Sequence, residues 1–196
     1  MSDWSSDAVA DHVGAALGLT PQRASVTFLG AEPIDVLRFA DPVARQLVYV
    51  TAGASRRPMA DPGDLNPDPV RGPRAELVLR LAPRGEVQLR NLHRALAMLA
   101  ATPMVEGLIL VDDALVDLGA PLWDGSPFTA VLLADDDLEP LVLPEPAEAV
   151  RFLRAVPVTA NEAAWVRLKG APALREAWVE AGIDPLDPER VAATLG

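Results

Sequence analysis

LVYVTAGASRRPM, residues 47–59, is the stretch on which the fold turns. Residues 46–51 are apolar on both faces, the pattern of a strand buried in the middle of a sheet. That strand runs straight into Thr51, Gly53, Ser55, Arg56 and Arg57, closed by Pro58. A buried strand ending in a glycine-containing, doubly basic turn holds polar groups on a rigid support, and the rest of the chain is placed relative to it.

Toward the N-terminus, Ile34 and Val36 alternate with Asp35, Leu37 and Phe39, which predicts a strand over 34–39, with a shorter one over 25–29. Glu32-Pro33 and Asp41-Pro42 mark the turns between them. Before these strands, Ser5 or Ser6 caps a first helix, with Val9, Val13, Ala16 and Leu17 on one face and Gly18 as its stop. Toward the C-terminus, residues 52–73 form an irregular stretch rich in Pro and Gly. RAELVLRLA (74–82) is then a strand with Leu77, Leu79 and Leu81 on one face and Glu76, Val78 and Arg80 on the other.

From Glu86, the spacing of Leu89, Leu92, Leu96 and Leu99 predicts an amphipathic helix ended by Pro103. Strands are expected at 108–111, 128–134 and 150–158, with a weak one at 141–143 and a polar excursion over 112–124. Pro157 should restrict the last strand to an edge or an end of the sheet. Thr159 and Glu162 have the spacing of a capping box. Helices follow over about 160–169 and 174–181, and Asp187-Pro188 opens a final helical turn. Strands in the middle and helices at the end describe one α+β domain over 1–196, with a mixed or largely antiparallel central sheet and flanking helices.

Composition narrows the function. There is no Cys among the 196 residues, so disulfides, thiolate zinc sites and thiol nucleophiles are excluded. The N-terminus has no basic n-region and no apolar run reaches the roughly 18 residues needed to span a bilayer. The expectation is a soluble, cytoplasmic protein with no membrane partner.

The net charge of −11 is unevenly placed. Residues 1–98 hold 11 acids and 11 bases, residues 99–150 hold 11 acids and no base, and residues 151–196 hold six of each. Such a field disfavours nucleic acid and favours a basic protein partner, with the alternative that the segment faces the chain's own Arg-rich stretch or is a solvated face. The candidate partner surface is Asp112, Asp113, Asp117, Trp123, Asp124, Asp135, Asp136, Asp137 and Glu139. Trp123 is its candidate aromatic anchor, with packing down onto the sheet as the alternative for that side chain.

No catalytic motif is visible. Ser55 follows Gly53, but Arg57 stands where a nucleophile elbow needs its second glycine, and nothing in the spacing brings His12 or His93 to it. The acid runs lack the register of a calcium loop, and no phosphate loop is present, so no metal or cofactor is expected. Arg56 and Arg57 can hold an anion, or pair internally with Glu76 on the neighbouring strand. An anion-binding or hydrolytic site around Ser55, Arg56, Arg57 and Glu76 is therefore the alternative to protein binding.

The ordered segments YVTAGASRRPM (49–59), RAELVLRL (74–81), SPFTAVLL (126–133) and PVTANEAAWV (157–166), with Ile183-Asp184 and Asp187-Pro188…Arg190, resemble the suppressor of fused family over about residues 24–190. The resemblance implies one α+β domain without enzymatic activity. It places Thr51, Gly53, Ser55, Met59, Glu76 and Glu162 at family-motif positions. Eukaryotic members resemble negative regulators that grip a transcription factor in Hedgehog signalling. Bacterial members are similar to immunity proteins encoded beside polymorphic toxins. Ala54 departs from the larger apolar residue of many members. The functional expectation is a non-enzymatic binding domain that neutralises a basic partner through an acidic surface.

Overall fold

The computed structural model describes residues 6–29 and 31–195. In chain order the elements are α1 Ser6–Leu17, β1 Gln22–Phe28, β2 Ala31–Asp41, β3 Gln46–Ala52, β4 Arg74–Leu81, α2 Leu92–Ala100, α3 Thr102–Glu106, β5 Leu115–Asp117, β6 Phe128–Asp135, β7 Val150–Thr159, α4 Ala160–Lys169 and α5 Ala171–Glu180. The seven strands form one sheet in the order β1-β2-β3-β4-β7-β6-β5. Two antiparallel meanders, β1–β4 and β5–β7, meet at a single parallel pair, β4 with β7. The sheet is thus mixed and mostly antiparallel, as its strand patterns imply.

Alternation sorts the apolar residues onto two faces. On one, Ile34, Val36, Tyr49, Leu77, Leu79, Leu81, Leu153 and Ala155 pack under α2 and the 108–123 segment. On the other, α1 covers Leu37, Phe39, Val48, Val50 and Phe152. On that same face, α4 and α5 cover Ala130, Leu132 and Val158. No helix among the described residues is long and apolar enough to cross a membrane.

Several local expectations need correcting. The residues from Glu86 do not open the helix: α2 starts at Leu92, because Asn91 takes a left-handed conformation (φ 67°) that interrupts the turn before it. Leu89 still packs against the core from outside the helix, which is why its spacing looked helical. Pro103 does not end the helical region but stands in the first turn of α3, where its missing N–H costs nothing. Residues 108–111 are not a strand; β5 lies inside the expected polar excursion instead, and residues 141–143 contribute one isolated bridge, Leu141 to Val150. Asp187-Pro188 makes a turn rather than a helix. Ser6 is the first residue of α1 and donates to Asp35 at 2.8 Å; the other candidate cap, Ser5, lies outside the described residues.

Pro157 sits in β7, between β4 and β6, not in an edge strand. The sheet tolerates it because β4 pairs β7 only as far as Val78 with Arg154. Beyond that point the two strands fork, and segment 183–193 ties the arms: Ala82 N–H donates to Leu186 O at 2.7 Å, and Arg190 Nη2 donates to Pro157 O at 2.9 Å. The N–H and C=O of one strand residue point the same way, so the nitrogen that lacks a hydrogen faces the fork rather than β6.

Candidate functional site

The turn after β3 is built around Glu76. β3 and β4 pair only up to Val50 with Val78, and beyond that Thr51 replaces the backbone ladder with its side chain. Its hydroxyl accepts from Leu77 N–H at 2.8 Å and donates to Glu76 Oε2 at 2.6 Å. The chain then folds over the carboxylate: Gly53 N–H and Ser55 N–H donate to Oε1 at 2.8 and 3.0 Å, and the Ser55 hydroxyl donates to the same oxygen. Gly53 takes φ 128°, and a Cβ there would meet Pro33 O at 3.2 Å and the Arg56 guanidinium at 3.1 Å. Only glycine suits both constraints. Met59, at the end of the turn, is buried, and its N–H donates to Pro73 O at 2.8 Å.

Glu76 is 0% exposed and Ser55 is 1% exposed, so no ligand reaches either. The expected pairing of Arg56 or Arg57 with Glu76 does not occur. Arg56 turns away, donating to Pro33 O at 2.6 Å and approaching Glu32 at 3.7 Å, and Arg57 is exposed. The buried guanidinium beneath the turn belongs to Arg74, which the sequence reading did not single out. It donates to Ser55 O, Arg56 O and Val70 O at 2.7–2.8 Å, bracing the turn through its carbonyls. Neither histidine hydrogen-bonds Ser55: His12 stacks on Phe152, and His93 lies exposed on α2. The Ser55 hydroxyl is hydrogen-bonded to the Glu76 carboxylate and to no histidine among the described residues, and both members of that pair are sealed from solvent.

Glu162, like Glu76, is a carboxylate with no exposure, and it completes the capping box with Thr159. Its Oε1 accepts from Arg190 Nη1 at 2.8 Å, Trp178 Nε1 at 2.9 Å and Ala193 N–H at 3.1 Å; its Oε2 accepts from Arg190 Nη2 and Thr159 N–H, both at 2.9 Å. The Arg190 guanidinium also lies 4.8 Å from the Phe128 ring centroid and 5.2 Å from that of Trp178. One carboxylate thereby ties β7, α4, α5 and the tail. The spacing of Thr159 and Glu162 does not name Arg190 or Trp178 as partners; the usable signal is an acid at a capping position beside apolar residues, whose second oxygen needs donors from elsewhere in the chain.

Burial alone would raise the Glu162 pKa, but the Arg190 hydrogen bonds, the Thr159 N–H and the Trp178 N–H outweigh it and hold the carboxyl below its ordinary range. Asp136 behaves likewise: burial raises it, and the hydrogen bonds and charges of Arg80 and Arg154 outweigh that and hold it below its ordinary value. Both carboxylates have folded pKa values below their unfolded ones, so their stabilisation is complete above the unfolded value and is lost on acidification. Urea midpoints measured across pH should therefore hold steady near neutrality and fall steeply below about pH 4. A midpoint unchanged down to pH 2.5 would contradict this.

The acid-only segment does not make one surface. Asp136 has a fully buried side chain, bound by Arg80 at 2.7–2.9 Å and by Arg154 at 3.0 Å. Trp123 is 4% exposed and packs against Phe128, so it is a core residue and not an interface anchor. Asp113 and Asp117 pair with Arg175 and Arg167 of α5 and α4, each at 2.5 Å, and Asp124 accepts from Asn91 at 2.8 Å. Asp112 is exposed. What remains at the end of β6 is Asp135, Asp137 and Glu139, all exposed. Together with Pro140, Arg151 and Phe152 they line an open cleft of about 400 Å³. Asp135 pairs with Arg151, and Asp137 with Arg154 at 2.9 Å. Among the described residues no group of three or more His, Asp or Glu side chains is placed to hold a metal ion.

A family model described as Suppressor of fused protein (SUFU) matches residues 30–191. The fold is similar to the solved structure of a putative SUFU homolog from Neisseria gonorrhoeae FA 1090, at 20% identity, covering 98% of each chain with a TM-score of 0.64. It is also similar to a chain of the Sufu–Fu complex, at 19% identity over 96% of this chain and 91% of that one, with a TM-score of 0.63. Drosophila Suppressor of Fused is 18% identical over 95% of this chain and 50% of its own, with a TM-score of 0.60. No curated protein sequence matches the chain.

Proposed function

We propose, from the premise that this chain belongs to the suppressor of fused family, that it acts by binding a basic protein and not by catalysis. The observation that carries the reading is the division of its acids into two kinds. Glu76 and Glu162 are consumed inside the fold, whereas Asp135, Asp137 and Glu139 stand exposed on the acidic wall of an open cleft, a rim that forms one charged ridge toward solvent.

The side chains of Asp135 and Asp137 are 65% and 92% exposed, and their arginine partners are also partly in water. Exposed ion pairs of this kind contribute about 0–1 kcal/mol. A partner's Lys or Arg can therefore displace Arg151 from Asp135 at little cost, exchanging one surface pair for another, and can engage Asp137 while Arg154 stays on the buried Asp136. The field of the ridge speeds the encounter. The related chain solved in the Sufu–Fu complex supports a protein as the ligand class. In its most specific form the proposal is that the chain is an immunity protein neutralising a basic toxin.

The test is affinity capture from the native host with the wild-type chain and with the D135N/D137N/E139Q variant. A basic protein should be retained by the wild type, released by moderate salt, and bound at least about tenfold more weakly by the variant. Capture that ignores both salt and the substitutions would sink the ridge, and capture of nothing at low salt would sink the binding role. The immunity form further requires the captured protein to arrest growth when expressed alone and not when expressed with this chain.

A further inference from the structure

A different part of the surface carries a site of opposite sign. Between the outer strands β1–β3 and the start of α2 lies a cleft of about 320 Å³, lined by Gln22, Arg23, Val36, Arg38, Tyr49, His93 and their apolar neighbours Ala24 and Leu89. Among the described residues no carboxylate is in its lining, although the chain has 28 acids and only 17 Lys and Arg.

The register builds the cleft floor. Gln22 stands opposite Arg38, and Arg38 opposite Tyr49, so three polar side chains form one rung across three strands. Ala24 and Val36, also opposite one another, leave a shallow apolar step beside it. The guanidinium is held from two sides: Arg38 Nε donates to the Tyr49 hydroxyl at 3.2 Å and Nη1 donates to Gln22 Oε1 at 3.0 Å. Both acceptors are neutral. Arg38 has no carboxylate within 4 Å among the described residues, and its Nη2 has no acceptor there. Tyr49 is 7% exposed and accepts from Arg38, while its own hydroxyl hydrogen has no acceptor among the described residues. Arg23 differs, because its guanidinium is already committed to Asp7 at 2.7 Å and Asp35 at 3.4 Å.

We propose that this cleft binds a small oxyanion, a carboxylate or phosphate group of a metabolite-sized molecule, with Arg38 as its anchor. The chemistry matches donor for acceptor. Arg38 Nη2 presents N–H donors from a guanidinium fixed in plane. The buried Tyr49 hydroxyl supplies another, and the Gln22 amide and the His93 imidazole stand at the rim. An oriented, uncompensated guanidinium beside a buried hydroxyl donor is suited to a charge-assisted hydrogen-bond pair with two oxygens of one anion. The volume falls within the range of small-molecule clefts. Arg56, the anion-binding candidate of the turn, is spent on Pro33 O and Glu32, whereas Arg38 keeps Nη2 without an acceptor among the described residues.

Isothermal titration calorimetry on the full chain, at constant ionic strength set with chloride, tests this with inorganic phosphate and with succinate as separate probes. Saturable binding of one or both is expected, with Kd of about 1 mM or tighter. Phosphate alone, succinate alone, or both would identify the oxyanion class. R38Q should weaken it at least about tenfold, and Y49F about three- to tenfold, with circular dichroism unchanged. If Arg38 only laces the strands, R38Q lowers the urea midpoint and leaves the binding heats intact, which overturns the proposal. Y49F keeps the test decisive if R38Q fails to fold. Absence of saturable heat with both anions also overturns it.

Discussion

Glu162→Gln is expected to lower the unfolding free energy by about 3–5 kcal/mol, the largest single effect among the polar residues of this chain. The substitution preserves size, so it probes charge and hydrogen bonding rather than volume. In the native chain the carboxylate accepts five donors, two of them from the Arg190 fork. Glutamine keeps one acceptor oxygen and turns an NH2 toward donors that need an acceptor. Arg190 would then remain as a buried, uncompensated cation, with its side chain 3% exposed. The tail segment 183–193 holds the β4/β7 fork through Leu186 and Arg190, so loosening Arg190 weakens that closure too. Urea unfolding at pH 7 measures the loss. The double variant E162Q/R190M should be less damaged than the sum of the singles, because removing both charges leaves no orphan. E162Q should also flatten the acid limb of the pH profile, since the group whose protonation drives part of it is gone. A loss under 1 kcal/mol would mean that the ion pair does not hold the tail.

How far such centres can be read from the chain depends on whether their partners are local. Thr159 and Glu162 are three residues apart, and a capping box is a local device, so the α4 start was legible. Arg190 is 28 residues from Glu162 and joins it only because the tail crosses the fork. The strand faces of β2 and β4 were legible for the same reason, as alternation is local: Leu77, Leu79 and Leu81 do lie under α2. Charge was the least legible property. Along the chain, residues 99–150 hold acids alone, but β6 and β7 are antiparallel and set Ala134 opposite Arg154 and Asp135 opposite Leu153. That register brings Arg151 and Arg154 beside Asp135, Asp136 and Asp137: these acids do face the chain's own arginines, the alternative the charge pattern left open, but a one-dimensional tally does not say which arginines. The open cleft at Arg38 was invisible for a related reason. Arg38 reads as one more polar residue in an alternating strand, and only the rung Gln22–Arg38–Tyr49 shows that, among the described residues, no acid pairs with it.

Glu76→Gln should cost about 2–4 kcal/mol, through a different mechanism. Glu76 has no cation among its hydrogen-bond partners; its negative charge is met by the Thr51 and Ser55 hydroxyls and by two backbone N–H groups. A carboxylate with donors on both oxygens suits this cradle, whereas a glutamine amide nitrogen can accept from none of them. One side of the cradle is therefore left with buried donors facing a donor. The expected outcome is a lower urea midpoint with an unchanged slope, since the turn loosens without altering the compactness of the denatured state. Thr51→Val should couple to it: Thr51 also accepts Leu77 N–H where the β3/β4 ladder stops, so the T51V/E76Q pair should be non-additive by about 0.5 kcal/mol or more. If the two losses simply add, the hydroxyl and the carboxylate are independent supports rather than one closure of the sheet at the strand's end. In either case the turn contributes through structure: with Ser55 and Glu76 sealed from solvent, E76Q should leave partner capture and anion titration as they were in any variant that remains folded. A folded E76Q chain that loses either activity would return function to the turn at residues 51–59.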